Sequence, residues 1–102
     1  MWAYFDNLLH PNRQNNEVSV SSWRLTTGQF GNKIITGVAT NNTDQQVSYA
    51  QIEFNVYDTS DNQVGSTITN ITNLEPHGKW EFQAPVIEDS ATKVKLKKVT
   101  SY

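Results

Sequence analysis

The chain has no cysteine, which excludes a disulfide framework, a thiol nucleophile and a thiolate metal site. Charge is scarce: 18% of residues are ionic and the net charge is −2, so there is no electrostatic footprint for nucleic acid. No apolar run approaches the ~20 residues of a membrane-spanning helix. Met1 to Leu9 lacks the basic start and continuous apolar stretch of a secretory signal; if the parent protein is exported or anchored, that segment is expected outside this sequence. Glycine-rich phosphate loops and internal repeats are also missing.

What is present is a chain of 102 residues, enough for one domain around one core. Only 36% of residues are apolar, but four Phe, four Tyr and three Trp supply large amounts of burial per side chain. That suits a thin, two-layer core. Thr, Asn, Ser and Gln make up much of the remainder, a surface of neutral hydrogen-bonding groups.

The clearest local pattern is Gln51-Ile52-Glu53-Phe54-Asn55-Val56-Tyr57-Asp58. Strict alternation places Ile52, Phe54 and Val56 on one face, as in a strand covered on one side. Before it, residues 1–16 read as an N-terminal arm or short helix with Trp2, Phe5, Leu8 and Leu9 at helical spacing, ending near His10 because Pro11 disfavours helix at the preceding residue. Residues 17–102 read as the domain. Glu17 to Leu25 carries Val18 and Val20 in alternation, then Trp23 and Leu25 on the opposite parity, which predicts a bulge or a crossing between sheets. Lys33 to Asn41 is a strand in which Gly37 marks close approach of another group, expected to be an aromatic ring from the facing sheet. Val64 to Leu74 is a strand rich in Thr and Asn. Lys79 to Ala84 points Trp80, Phe82 and Ala84 inward, and Thr92 to Ser101 points Val94 and Leu96 inward with a register change near Lys97-Lys98-Val99. Turns at Asn41–Asp44, Asp58–Asn62 and Leu74–Gly78 separate these runs. The pattern predicts an all-β antiparallel sandwich of about seven strands, with Val20, Ile35, Ile52, Phe54, Val56, Leu74, Trp80, Phe82, Val94 and Leu96 between the sheets.

Groups that carry chemistry are few. His10 and His77 adjoin proline in loops without metal-ligand spacing. Ser66 follows Gly65 but lacks the paired glycines of a nucleophile elbow. Asp58, Ser60, Asp61 and Asn62 offer oxygens to a cation such as calcium, although turn formation accounts for the same residues. Glu53 with Glu81, and Glu88 with Asp89, are the carboxylate pairs; the first two lie on the outward parity of their strands. Asn41-Asn42-Thr43 and Asn70-Ile71-Thr72 fit the glycosylation pattern by chance in so Asn- and Thr-rich a chain. Tyr49 and Tyr57 face outward, to stack on a sugar ring or to pack across strands. Lys93, Lys95, Lys97 and Lys98 are half of the eight basic residues and read as protection of an edge strand or as a small basic stripe for an acidic polymer. No catalytic, cofactor-binding or metal residues are assigned, and no cofactor is expected.

These segments resemble the FxLYD family of small bacterial domains. Phe54-Asn55-Val56-Tyr57-Asp58 is similar to its strand-ending motif, with Val56 in place of the usual leucine. Ile35, Gly37, Ala39 and Asn41 resemble its apolar-x-Gly-x-apolar-x-Asn strand, and Leu74-Glu75-Pro76-His77-Gly78-Lys79-Trp80-Glu81-Phe82 its Leu-x-Pro-Gly-x-x-x-x-Phe segment, with His77 as an extra residue before the glycine. The likeness spans about Val18 to Val99. It implies an immunoglobulin-like sandwich outside a bacterial membrane, commonly in lipoproteins or membrane-anchored proteins, without enzymatic activity of its own. The expected function is therefore a non-catalytic binding or spacer module of an envelope or secreted protein, engaging a protein, peptidoglycan or polysaccharide through a sheet face or a loop end. The alternative is a self-associating module, pairing through an edge strand or the Trp2/Phe5/Leu9 arm, as a monomer or weak homodimer.

Overall fold

The structure, a computed structural model, describes residues 17–102. The reading of residues 1–16 as an arm or short helix, His10 included, lies outside the described residues. Within them the chain forms β1 (Val18–Thr27), β2 (Lys33–Asn41), β3 (Val47–Tyr57), β4 (Gln63–Leu74), β5 (Lys79–Val86) and β6 (Lys93–Ser101) and no helix. The strands make two three-stranded antiparallel sheets, ordered β1-β2-β5 and β4-β3-β6, packed face to face as a sandwich.

The described strands number six, against the expected seven or so. The parity switch in Glu17–Leu25 is a bulge and not a crossing: the β1–β2 register steps from Ser21↔Val38 to Arg24↔Thr36, and Ser22 takes a φ of 57° there. One strand therefore turns Val18 and Val20 inward on one side of the bulge and Leu25 on the other, with Trp23, 37% exposed, in the bulge itself. β6 uses the same device, as its register against β3 slips between Glu53↔Lys98 and Phe54↔Leu96. The expected register change at Lys97 is thus a bulge.

Alternation along β2, β3 and β5 places Ile35, Ala39, Ile52, Phe54, Val56, Phe82 and Ala84 in the core, each 1% exposed or less. Val20, Trp80, Val94 and Leu96, expected inside, are only partly buried and pack against that core. All four lie on strands that border their sheet. An aromatic line crosses the sandwich: the Phe54 ring of one sheet lies 5.8 Å from Phe82 and 6.4 Å from Trp23 of the other, and Trp80 flanks Phe82 at 5.7 Å. Spacings in that range favour tilted ring pairs.

Gly37 does admit an aromatic ring, but from the neighbouring strand of its own sheet. Phe82 is its register partner on β5, and a Cβ at position 37 would stand 2.5 Å from Phe82 Cζ and 3.1 Å from the Trp23 Cα. The glycine leaves the room that the Phe82 ring and the Trp23 backbone of the β1 bulge take up.

Candidate functional site

Strand order fixes which loops meet. β1 runs away from the end at which β6 finishes, and Ser101 Oγ donates to Glu17 Oε1 at 3.3 Å, so the sandwich takes the chain in and hands it out at one end. The connections 42–46 and 75–78 share this proximal end. The connections 28–32, 58–62 and 87–92 share the distal end.

The proximal end is tied together around Asn41, which is fully buried. Its Nδ2 donates to the carbonyls of Gln45 (2.8 Å), Glu75 (2.9 Å) and Leu74 (3.2 Å). Its Oδ1 accepts from the Thr43 N–H at 3.0 Å and the Thr43 hydroxyl at 2.8 Å. One amide thus joins two loops and leaves neither of its ends unpaired. The His77 N–H reaches the Thr43 carbonyl at 3.2 Å, and its ring Nε2 meets Asp44 Oδ1 at 2.7 Å in the open. His77, not Gly78, takes the left-handed backbone of this turn, with φ 57°.

The distal loops are hydrogen-bonded too, yet they expose apolar groups. Gly28 N–H bonds to the Asn32 carbonyl at 2.6 Å and Gly31 N–H to the Gly28 carbonyl at 3.1 Å. Gly31 adopts φ 83°, which glycine does without steric cost. Phe30 stands at the tip of this loop, 88% exposed. In the 87–92 loop Lys33 Nζ donates to the carbonyls of Asp89 and Ala91, both at 2.5 Å, and the Thr92 N–H bonds to the Tyr57 carbonyl at 2.8 Å. Ala91 is buried while Ile87 is 86% exposed. Lys33 pairs with Val86, so Ile87 leaves its strand alongside the loop that carries Phe30.

Acidic groups lie in the 58–62 and 87–92 loops of the same end. Asp58 Oδ1 accepts the N–H groups of Ser60 and Asn62, each at 2.9 Å, and Oδ2 accepts Asn62 Nδ2 at 3.2 Å. The Asn62 N–H holds the Asp58 carboxyl below its usual value, against partial desolvation, with smaller help from the Asn62 side chain, the Ser60 N–H and Lys93. Asp61 is lowered chiefly by a hydrogen bond from Lys93, 2.5 Å away. Of the oxygens that the sequence offered to a cation, donors of the turn hold both of Asp58's and Lys93 holds Asp61 Oδ1. Glu88 and Asp89 follow Ile87 directly.

The outer face of the β4-β3-β6 sheet is the second broad surface. Tyr49 stacks on Tyr102 at 5.9 Å and 28° and donates its hydroxyl to Gln51 Oε1 at 2.7 Å. Lys95 Nζ sits 4.8 Å from the Tyr57 ring centroid, a cation–π contact. Lys97 reaches Glu53 at 3.3 Å. The lysine row is therefore partnered by Asp61, Tyr57 and Glu53, which suits protection of the β6 edge better than capture of an acidic polymer. Asn55 Oδ1, in the middle of this face, is the buried side-chain atom without a hydrogen bond among the described residues.

The other sequence candidates scatter. Glu53 and Glu81 lie on the outer faces of different sheets. Asn41 is too buried to accept a glycan, whereas Asn70 is exposed on β4. A depression of about 420 Å³ beside the β1 bulge collects Ser22, Arg24, Thr36, Glu81 and Gln83 and no histidine. No group of three or more His, Cys, Asp or Glu able to hold a metal ion occurs among the described residues. Phe30 and Ile87 belong to no motif of the sequence. The available signal was a lone large apolar residue inside turn chemistry, in Gly28-Gln29-Phe30-Gly31 and before Glu88-Asp89.

Comparison with family models, with curated proteins and with solved structures finds no match to this chain.

Proposed function

We propose that this chain is a non-catalytic, immunoglobulin-like binding module of a bacterial envelope or secreted protein, and that its partner docks on the distal loop end. The strand orders β1-β2-β5 and β4-β3-β6 support the immunoglobulin-like reading, since they resemble the A-B-E and C′-C-F portions of that sandwich. The likeness to FxLYD domains rests on the motifs around Gly37, Phe54 and Trp80, and it is the ground for an extracytoplasmic, membrane-anchored setting.

One observation carries the choice of a binding end. Phe30 and Ile87, 88% and 86% exposed, stand on hydrogen-bonded loops at the end opposite to chain entry and exit. Large apolar side chains held out by an ordered loop are what binding anchors require, because little conformational freedom remains to be lost on docking. The partner surface that fits is an apolar recess bordered by positive or hydrogen-bond-donor groups, on a protein or an envelope polymer.

Cosedimentation with washed bacterial cell-envelope fragments tests this reading. The wild-type chain is expected in the pellet, and the Phe30→Ala/Ile87→Ala double variant in the supernatant with its melting temperature unchanged. Equal pelleting of both proteins, or none of either, removes the loop-end assignment.

A further inference from the structure

A three-stranded sheet has two border strands, and among the described residues the two sheets present four. Edges of this kind are normally blocked by charge, proline or bulges. β6 carries Lys93, Lys95, Lys97 and Lys98 and a bulge. β5 carries Lys79, Glu81 and Pro85. β1 has the bulge at Ser22–Trp23 and Arg24. β4, at 12 residues the longest strand, contains no charged residue and no proline; its register against β3 slips between Gln63 and Gly65 and Asn73 takes a φ of 57°, but the stretch between them is regular from Gly65 to Thr72.

The alternation of hydrogen bonds shows which groups this edge offers. The Tyr57 and Tyr49 carbonyls accept bonds on the β6 side of β3, from Thr92 and Tyr102. The intervening even residues of β3 therefore face β4, through the pairs Ile52↔Thr69 and Phe54↔Thr67. It follows that Ser66, Ile68, Asn70 and Thr72 direct their own N–H and C=O groups away from β3. Among the described residues β4 has a strand neighbour on one side only.

We infer that β4 pairs antiparallel with β4 of a second copy of this chain, joining the two β4-β3-β6 sheets into one six-stranded sheet about a twofold axis near Ile68–Asn70. Charge selects a second copy over an unrelated strand. Isologous pairing sets each residue near its own equivalent, which puts like charges together wherever an edge is ionic; on β6 it would oppose lysines to lysines. β4 has nothing to repel itself with. Its Thr and Asn side chains pair readily across strands, and Ile68, 48% exposed on the outer face, gains cover from its counterpart. The half-buried inward residues Thr67, Thr69 and Ile71 gain a neighbour as well. The contact does not involve the distal loops, so it stands independently of the proposed binding end.

Sedimentation velocity of the full chain over a concentration series decides the matter. A reversible dimer is expected, and Ile68→Lys raises its dissociation constant at least ~10-fold, because lysines would then face each other across the axis. Melting of the variant under monomeric conditions should match the wild type, and Ser21→Lys on the β1 edge should leave the dimer intact. Single cysteines at 68, 69 and 70, in a chain otherwise free of cysteine, give a second readout: at least one should form a disulfide-linked dimer without added oxidant beyond air. A wild-type chain that stays monomeric to about 1 mM, a dimer indifferent to Ile68→Lys, or the failure of all three cysteines to cross-link overturns the inference. A monomer that captures an added extended peptide also counts against it.

Discussion

Asn41 gives the most exacting test of how the proximal end is held. Replacing it by alanine removes two N–H donors shared among the Gln45, Leu74 and Glu75 carbonyls and an oxygen that accepts twice from Thr43. Each net hydrogen bond is worth about 1 kcal/mol, and a buried carbonyl left without a partner costs a further 1–3 kcal/mol. Water can reach the partly exposed Gln45 and Glu75 carbonyls, so the total settles at about 3 kcal/mol. For a domain of this size that lowers Tm by roughly 12–24 °C. Asn41→Asp is the sharper variant. It keeps the shape and the two accepted bonds but turns a carboxylate oxygen toward three carbonyl oxygens at 2.8–3.2 Å, so its folded pKa must rise above the unfolded value. The penalty of this variant therefore grows as pH rises above about 4 and shrinks below it. Urea unfolding of wild type, Asn41→Ala, Asn41→Asp and Asn42→Ala at two pH values is the assay. Asn42 is exposed with one side-chain bond, to Ser19 Oγ at 3.1 Å, and its loss should cost no more than about 0.5 kcal/mol. An Asn41→Ala chain within about 1 kcal/mol of wild type, or an Asn41→Asp penalty that ignores pH, would falsify the reasoning.

Gly37→Ala should destabilise by about 1–3 kcal/mol through overpacking against the Phe82 ring and the Trp23 backbone, and Phe82→Leu in the same chain should recover part of that loss in a double-mutant cycle. Phe54→Ala, at a position with no exposure, should cost about 3–5 kcal/mol by chemical denaturation; a smaller loss would mean that the aromatic line is not the centre of the core. Asp58 is held below its usual pKa in the fold, so its support for the turn is present above the unfolded pKa and is lost as pH falls through the lower, folded value. Thermal melts of wild type and Asp58→Ala should accordingly differ at neutral pH and converge in acid below about pH 4, and a gap that stays constant would contradict that role.

Much of the fold was legible because its determinants are local. Alternation in Ile52, Phe54 and Val56 states which face of β3 is covered, and Asp58–Asn62 and Glu75–Gly78 carry their turn chemistry within a few residues. The parity switch at Trp23 and the slip at Lys97 could also be located from spacing, although the first admitted a crossing that the bulge excludes. The candidate site was hardly legible. Phe30 and Ile87 are 57 positions apart, and only the pairing of β2 with β5 brings their loops to one end.

The sequence by itself determined the two-layer β architecture, the inward set of β2, β3 and β5 and the positions of the turns, since periodicity and backbone preference act over neighbouring residues. Tertiary structure alone decided that the ring over Gly37 comes from the same sheet, that both ends of the described chain lie together, and that the uncharged β4 has a strand neighbour on one side only among the described residues. Those outcomes depend on which strands pair, and strand pairing is settled by packing between residues far apart in the chain, where no local pattern reaches.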